Sequence, residues 1–116
     1  MTARRAYPKA VRIRRRREFL ALQREGRRRH SAHFVVIERP SSNITSRLGV
    51  TVSKRVGNAV VRNRVKRLVR EVFRHQRAQL CPPADLVVIA KPGANALTYA
   101  QAATELERIL GTHPDR

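Results

Sequence analysis

The residues of this chain best equipped for chemistry are cations crowded into one stretch: Lys54, Arg55, Arg62, Arg64, Lys66, Arg67, Arg70 and Arg74, with the neutral amide Asn63 among them. A guanidinium is a planar fork whose parallel donors fit phosphate oxygens in pairs, so a preference for Arg over Lys points to phosphate binding rather than solubility. Helical spacing gathers Val61, Val65, Leu68, Val69, Val72 and Phe73 on one side, and Arg62, Asn63, Lys66, Arg67, Arg70 and Arg74 on the other. Like charges at i,i+4 repel by a few tenths of a kcal/mol each, so a face this cationic calls for a polyanion. Asn63 has two open roles, helping to position a hydrated metal ion or making a plain hydrogen bond on the helix surface.

Nuclease chemistry on the chain itself is a poor fit. His30, His33, His75 and His113 are dispersed, and the odd spacing of the first two turns them to opposite faces of an extended segment. The acids Glu18, Glu25, Glu38, Glu71, Asp85, Glu105, Glu107 and Asp115 are scattered, whereas two-metal phosphodiester hydrolysis needs several carboxylates at one place. No catalytic residue is expected on the protein.

The totals agree. With 116 residues, 41% of them hydrophobic, the chain makes one small domain. Its 26 Lys and Arg against 8 acids give a net charge of +18 and a pI near 11.9, which speaks to partners rather than to fold. Nucleic acid is the expected partner; an anionic membrane is the weaker candidate, because no Trp- or Phe-rich apolar face accompanies the basic segments. Cys81 is the sole cysteine, so an intrachain disulfide and a cysteine-based zinc site are excluded. It is expected to be a small, half-buried apolar residue in a reducing cytoplasm. No apolar run reaches the roughly 20 residues of a membrane span. The Arg-rich start lacks the apolar stretch of a secretory signal and the Ser enrichment of a transit peptide.

Residues 1–12 form an expected flexible basic arm, 13–112 a single α+β domain and 113–116 a tail. Arg12, Arg14, Arg15, Arg16 and Arg17 extend the basic arm into a first helix that begins near Arg15, carries Phe19, Leu20 and Leu22, and stops at Gly26, read as a left-handed C-cap. A short edge strand over Arg27 to His30 and a strand at Phe34-Val35-Val36-Ile37 follow. The alternating run from Arg47 to Ser53 predicts a hairpin partner for that strand. Gly57 supplies a backbone angle, Asn58 caps the basic helix, and the helix runs to about Arg77. Leu86-Val87-Val88-Ile89 is apolar enough for a central strand covered on both faces. Lys91-Pro92-Gly93 turns, and Thr98 with Gln101 makes a capping box for a last helix.

The segment from Val52 to Arg70, with Ser-Lys-Arg, Gly-Asn-Ala, Arg-Asn-Arg and Lys-Arg-Leu in order, resembles the signature of the bacterial ribonuclease P protein component. The likeness spreads through Arg-Arg-Glu-Phe, Glu-Gly, Phe-Val-Val, Asp-Leu-Val-Val-Ile-Ala-Lys-Pro-Gly and Leu-Thr-Tyr. It implies an α-β-β-β-α-β-α sandwich, like the second domain of a ribosomal protein, with the basic helix in a left-handed βαβ crossover. It also implies two RNA partners, a catalytic RNA and precursor tRNA. The RNA would carry the active site and hold most of the Mg²⁺, no protein partner would be required, and the 5′ leader would be removed by metal-assisted hydrolysis. On this likeness Lys54, Arg55, Arg62, Asn63, Arg64, Lys66, Arg67 and Arg70 face the catalytic RNA. Phe19, Phe34 and Val36 fall in the segments that build the leader cleft, the two Phe residues being mainly core with at most an edge exposed. At Ile37 and Gln23 the chain departs from the family's usual aromatics, so backbone electrostatics should outweigh ring stacking on the leader. The rival class is a structural RNA-binding protein of ribosomal type.

Overall fold

A run apolar on both sides, such as Leu86-Val87-Val88-Ile89, is stable only where both faces and both edges are covered. In the computed structural model, which describes residues 12–13, 15–41, 45–76 and 83–111, that run takes the interior of the sheet. The elements in order are α1 (Arg16–Glu25), β1 (Arg27–His30), β2 (Phe34–Pro40), β3 (Arg47–Val52), α2 (Ala59–Gln76), β4 (Ala84–Ala90), a 3₁₀ turn (Ala94–Ala96) and α3 (Tyr99–Gly111). The strands lie in the order β1-β2-β4-β3, with β3 and β4 parallel and the other pairs antiparallel.

The expected β2–β3 hairpin does not form. β4 inserts between the two strands, pairing Val36 with Val88 on one side and Val50 with Val88 on the other. Burying the continuous apolar strand at the centre outweighs the local convenience of a hairpin, and β3 moves to an edge with α2 as the crossover back to β4. That edge is partly covered: Arg12, assigned to the arm, bridges Leu48, and Ile13 donates its N–H to the Leu48 carbonyl at 2.9 Å and is buried.

The helix signals in the sequence are real. Asn58 Oδ1 accepts from the Val61 N–H at 3.0 Å, capping α2, and Thr98 and Gln101 exchange reciprocal hydrogen bonds at the start of α3. Gly26 acts differently from expectation. Its φ is −79°, so it is no left-handed cap; its missing Cβ makes room for Ile37, whose Cγ2 an added Cβ would meet at 2.6 Å. Gly57 likewise serves close approach, to Val61, whereas Gly93 does hold a left-handed φ of 101°. Arg77 lies outside the described residues, as do Arg14, Cys81 and His113.

The sheet has two unlike faces. On one, Phe34, Val36, Leu48, Val52, Leu86 and Val88 pack against Val65, Val69, Val72 and Phe73 of α2 and Ala102, Leu106 and Leu110 of α3. On the other, α1 covers Val35, Ile37 and Val87 with Leu22 and Phe19. Among the described residues, no helix is long and apolar enough to cross a membrane.

Candidate RNA interface

α2 presents its cations as the sequence requires. With Val65, Val69, Val72 and Phe73 buried against the sheet, Asn63, Arg64 and Arg67 stand exposed, and Arg62, Lys66 and Arg70 half-buried along the flanks. Leu68 departs from the expected apolar side: it is only half-buried and belongs to a surface groove. Lys54 and Arg55 are exposed in the turn between β3 and α2. Arg64 and Arg74 are each partly engaged by the chain. Arg64 donates to the carbonyls of Asn95 at 2.9 Å and Leu97, which fixes its fork between α2 and the 3₁₀ turn. Arg74 turns two donors onto Glu71, which also meets His75 at 3.0 Å. The hydrogen bonds from Arg74 hold the Glu71 carboxyl below its ordinary pKa of 4.5. Arg74 is thus less available for phosphate than Arg67.

Around α1 the cations sit where the helix itself disfavours them. Arg15 caps the helix without a side-chain hydrogen bond, and Arg16 and Arg17 are exposed in its first turn, at the positive end of the helix dipole. An external anion there would satisfy both the arginines and the free backbone N–H groups.

Strand register resolves the face beside α1 into rows. The helix runs over Gly49, Val87, Ile37 and Arg28: the Phe19 ring presses on Gly49, Gly26 lies against Ile37, and Arg28 donates to the Gln23 carbonyl at 3.3 Å. One flank of the helix is tied down by ion pairs. Arg47 forks onto buried Asp85 at 2.9 and 3.1 Å and reaches Glu18 at 3.2 Å, while Arg39 pairs with Glu25 at 2.8 Å. These partners, Asp85 foremost, raise the Arg47 pKa above its ordinary value. The other flank, bearing Phe19 and Gln23, borders a second row that is only partly covered among the described residues. In it Thr51 and Ile89 are half-buried, Val35 is buried, and His30 is exposed at the β1 edge.

This row corrects the cleft assignment. Phe34 and Val36 lie on the opposite face, 1% and 0% exposed, inside the core beneath α2 and α3, so Phe34 is core as expected but shows no edge to a cleft. Their neighbours Val35 and Ile37 face α1, a parity error of one residue. Phe19 alone of the predicted trio lies on the α1 side, against Gly49, and Thr51, Ile89 and His30 are additions; the pattern Phe-Val-Val-Ile is apolar on both sides and carries no signal of which residue faces which way.

Glu105 serves the fold. Glu105 of α3 accepts from Ser31 Oγ, the His33 N–H at 2.6 Å and His33 Nδ1 at 2.9 Å, clamping α3 to the β1–β2 turn. Burial pushes its pKa up, and the hydrogen bonds from Ser31 and His33 more than offset this, leaving it lowered. Among the described residues no three His, Cys, Asp or Glu gather where they could hold a metal ion.

A family model described as Ribonuclease P matches residues 7–113. The chain is 49% identical over 107 residues to a Ribonuclease P protein component of Desulfovibrio desulfuricans, covering 89% of this chain and 82% of that one. It is 50% identical over 105 residues to one from Desulfatibacillum aliphaticivorans, covering 90% and 89%. In structure it resembles the RNase P protein of Staphylococcus aureus, with a TM-score of 0.79, 36% identity and coverage of 89% and 94%. The Thermotoga maritima RNase P protein gives 0.78 at 33% identity, with coverage of 85% and 94%.

Proposed function

The chain belongs to the ribonuclease P protein family, and from that membership we propose that its two basic surfaces take two different RNAs, the catalytic RNA on α2 and the 5′ leader of precursor tRNA beside α1. It is the protein component of ribonuclease P, the accessory subunit of an endoribonuclease of tRNA maturation, and its partner in that enzyme is RNA. The observation that carries the division is the exposed line of Asn63, Arg64 and Arg67 on a helix whose other side is locked into the core. Such a face binds a folded RNA through its phosphates, and affinity then falls with salt by about 0.7–0.9 log units per log unit for each phosphate neutralised.

The row Thr51, Ile89, Val35 and His30 forms a shallow floor between the Lys54–Arg55 turn and the β1 edge, with α1 as its wall. A single strand lying on it would put phosphates near Lys54, Arg55 and the Arg15–Arg17 cluster while its sugars and bases meet Ile89 and Phe19. The described carboxylates on these surfaces, Glu18, Glu25, Glu71 and Asp85, are each paired with an Arg. Mg²⁺, which supplies the hydrolytic chemistry, is accordingly assigned mainly to phosphate oxygens of the RNA. The chain lowers repulsion between the two RNAs and orients the leader. Asn63, exposed among cations, is placed to hydrogen-bond a hydrated ion or a ribose. The setting is the cytoplasm, and no protein partner is required. Family membership disfavours a ribosomal-type structural protein.

The test uses the cognate catalytic RNA at low Mg²⁺. Adding the chain should raise precursor cleavage, more for substrates with a leader long enough to cross the row than for a one-nucleotide leader. Equal gain at every leader length would remove the leader from the α1 face. Separately, Lys66→Gln with Arg67→Gln should lower the salt slope for the catalytic RNA by about 1.4–1.8. An unchanged slope would mean that α2 does not bear the contact.

A further inference from the structure

Between α2 and α3 lies an open groove of about 420 Å³, lined by Arg64, Arg67, Leu68, Glu71 and Tyr99. Its size falls within the ~300–1,000 Å³ of small-ligand pockets. The composition is unusual for this molecule. Phe34 and Phe73 are buried and Phe19 is half-buried on Gly49, yet Tyr99 is left 40% exposed, with half-buried Leu68 beside it. Leaving that apolar area in water gives up burial worth about 25 cal/mol per Å², and the capping box of Thr98 and Gln101 holds the start of α3 so that the ring stays there.

The charges around the ring are pre-set. Arg64 is held by the carbonyls of Asn95 and Leu97, so its guanidinium is ordered before any ligand arrives. Arg67, three residues along the same helix, is exposed. Glu71, both oxygens engaged by Arg74 and one by His75, closes the far end of the groove. Burial, with Glu71 and Glu107, raises the Tyr99 pKa, so the ring remains neutral. A flat neutral ring, an aliphatic neighbour and two cations match the parts of a nucleotide: a base to stack and phosphates to pair.

We propose that this groove seats one unstacked nucleotide of the partner RNA, with its base against Tyr99 and Leu68 and its flanking phosphates against Arg64 and Arg67. The inference rests on the reading of α2 as an RNA-binding face and adds a base-stacking point to it. Stacking and ion pairing respond differently to salt, which separates this site from its surroundings. A phosphate contact contributes to the salt slope; a stacked base does not.

The experiment titrates the cognate catalytic RNA with the full chain across a range of KCl concentrations. Tyr99→Ala should bind about 5- to 150-fold more weakly at every salt concentration, with the slope unchanged. Tyr99→Phe and Tyr99→Trp, which keep a ring, should stay within about threefold of the parent. The Trp variant guards against a trivial loss through misfolding. The proposal is overturned if Tyr99→Ala binds as the parent does, if its loss comes with a flattened slope, or if Tyr99→Trp binds as weakly as Tyr99→Ala. A failure of the parent reading looks different: there Lys66→Gln with Arg67→Gln leaves the slope intact, whatever Tyr99 does.

Discussion

One sheet carries two faces with opposite obligations. Beneath α2 and α3 the packing is closed, and Phe34, Val36, Val65, Leu86 and Val69 have essentially no exposure. Beneath α1 it is half closed: one helix lies across four strands, pinned on one flank by Arg47 and Arg39 and leaving Thr51, Ile89 and His30 in reach of solvent on the other. The closed face holds α2 rigidly, so its cations stand at fixed spacing; the half-open face is where the proposed leader strand would lie. Substitutions should therefore separate, with stability answering for one face and substrate binding for the other.

The sharpest contrast pairs neighbours in the sheet. Phe34→Ala should cost about 3–5 kcal/mol in urea unfolding, while Ile89→Ala should cost about 1–2 kcal/mol and instead weaken binding of leader-bearing precursor relative to mature tRNA. Equal stability losses would erase the distinction between the faces. Next in size is Arg47→Ala, which strands the buried Asp85 carboxylate and should cost at least about 3 kcal/mol; a smaller loss would show that the ion-paired flank of α1 is not held as described.

Glu105→Gln tests the clamp on the closed side, with an expected loss of about 2 kcal/mol at neutral pH. Because the folded pKa of Glu105 lies below its ordinary 4.5, its contribution is present above that value and is lost as pH falls through the lower folded value. The gap between parent and variant in unfolding free energy should therefore close toward acid pH. A gap constant with pH would assign the loss to packing. Smallest of all, His30→Ala should change stability by less than about 0.5 kcal/mol, since the residue is exposed at the sheet edge. Melting temperature checks it.

What the sequence made legible follows a physical divide. Local signals were readable: the Asn58 and Thr98–Gln101 caps, the turn at Gly93 and the amphipathic period of α2 all depend on residues within a few positions of one another. Strand order was not, because β4 displaces the nearer partner of β2 through long-range burial that no neighbouring residue encodes. Facing was readable in β3, where Leu48 and Val52 alternate with less apolar residues, and hidden in β2, where four consecutive apolar side chains suit either side. The family likeness marks the segment holding Phe34 and Val36 as cleft-building but does not say which side of the strand faces α1. Leu68 departs from its period for a related reason: helical spacing marks it apolar, yet Tyr99 at the start of α3 lies beside it in a surface groove, so it borders the groove instead of the core.

The most direct test places a photoreactive side chain on each face in turn, at Arg67 and at Thr51, in the assembled complex of chain, cognate catalytic RNA and precursor tRNA. Position 67 should crosslink to the catalytic RNA and position 51 to the leader. Crosslinks from both positions to the same RNA, or with the partners exchanged, would contradict the division of labour between the two faces.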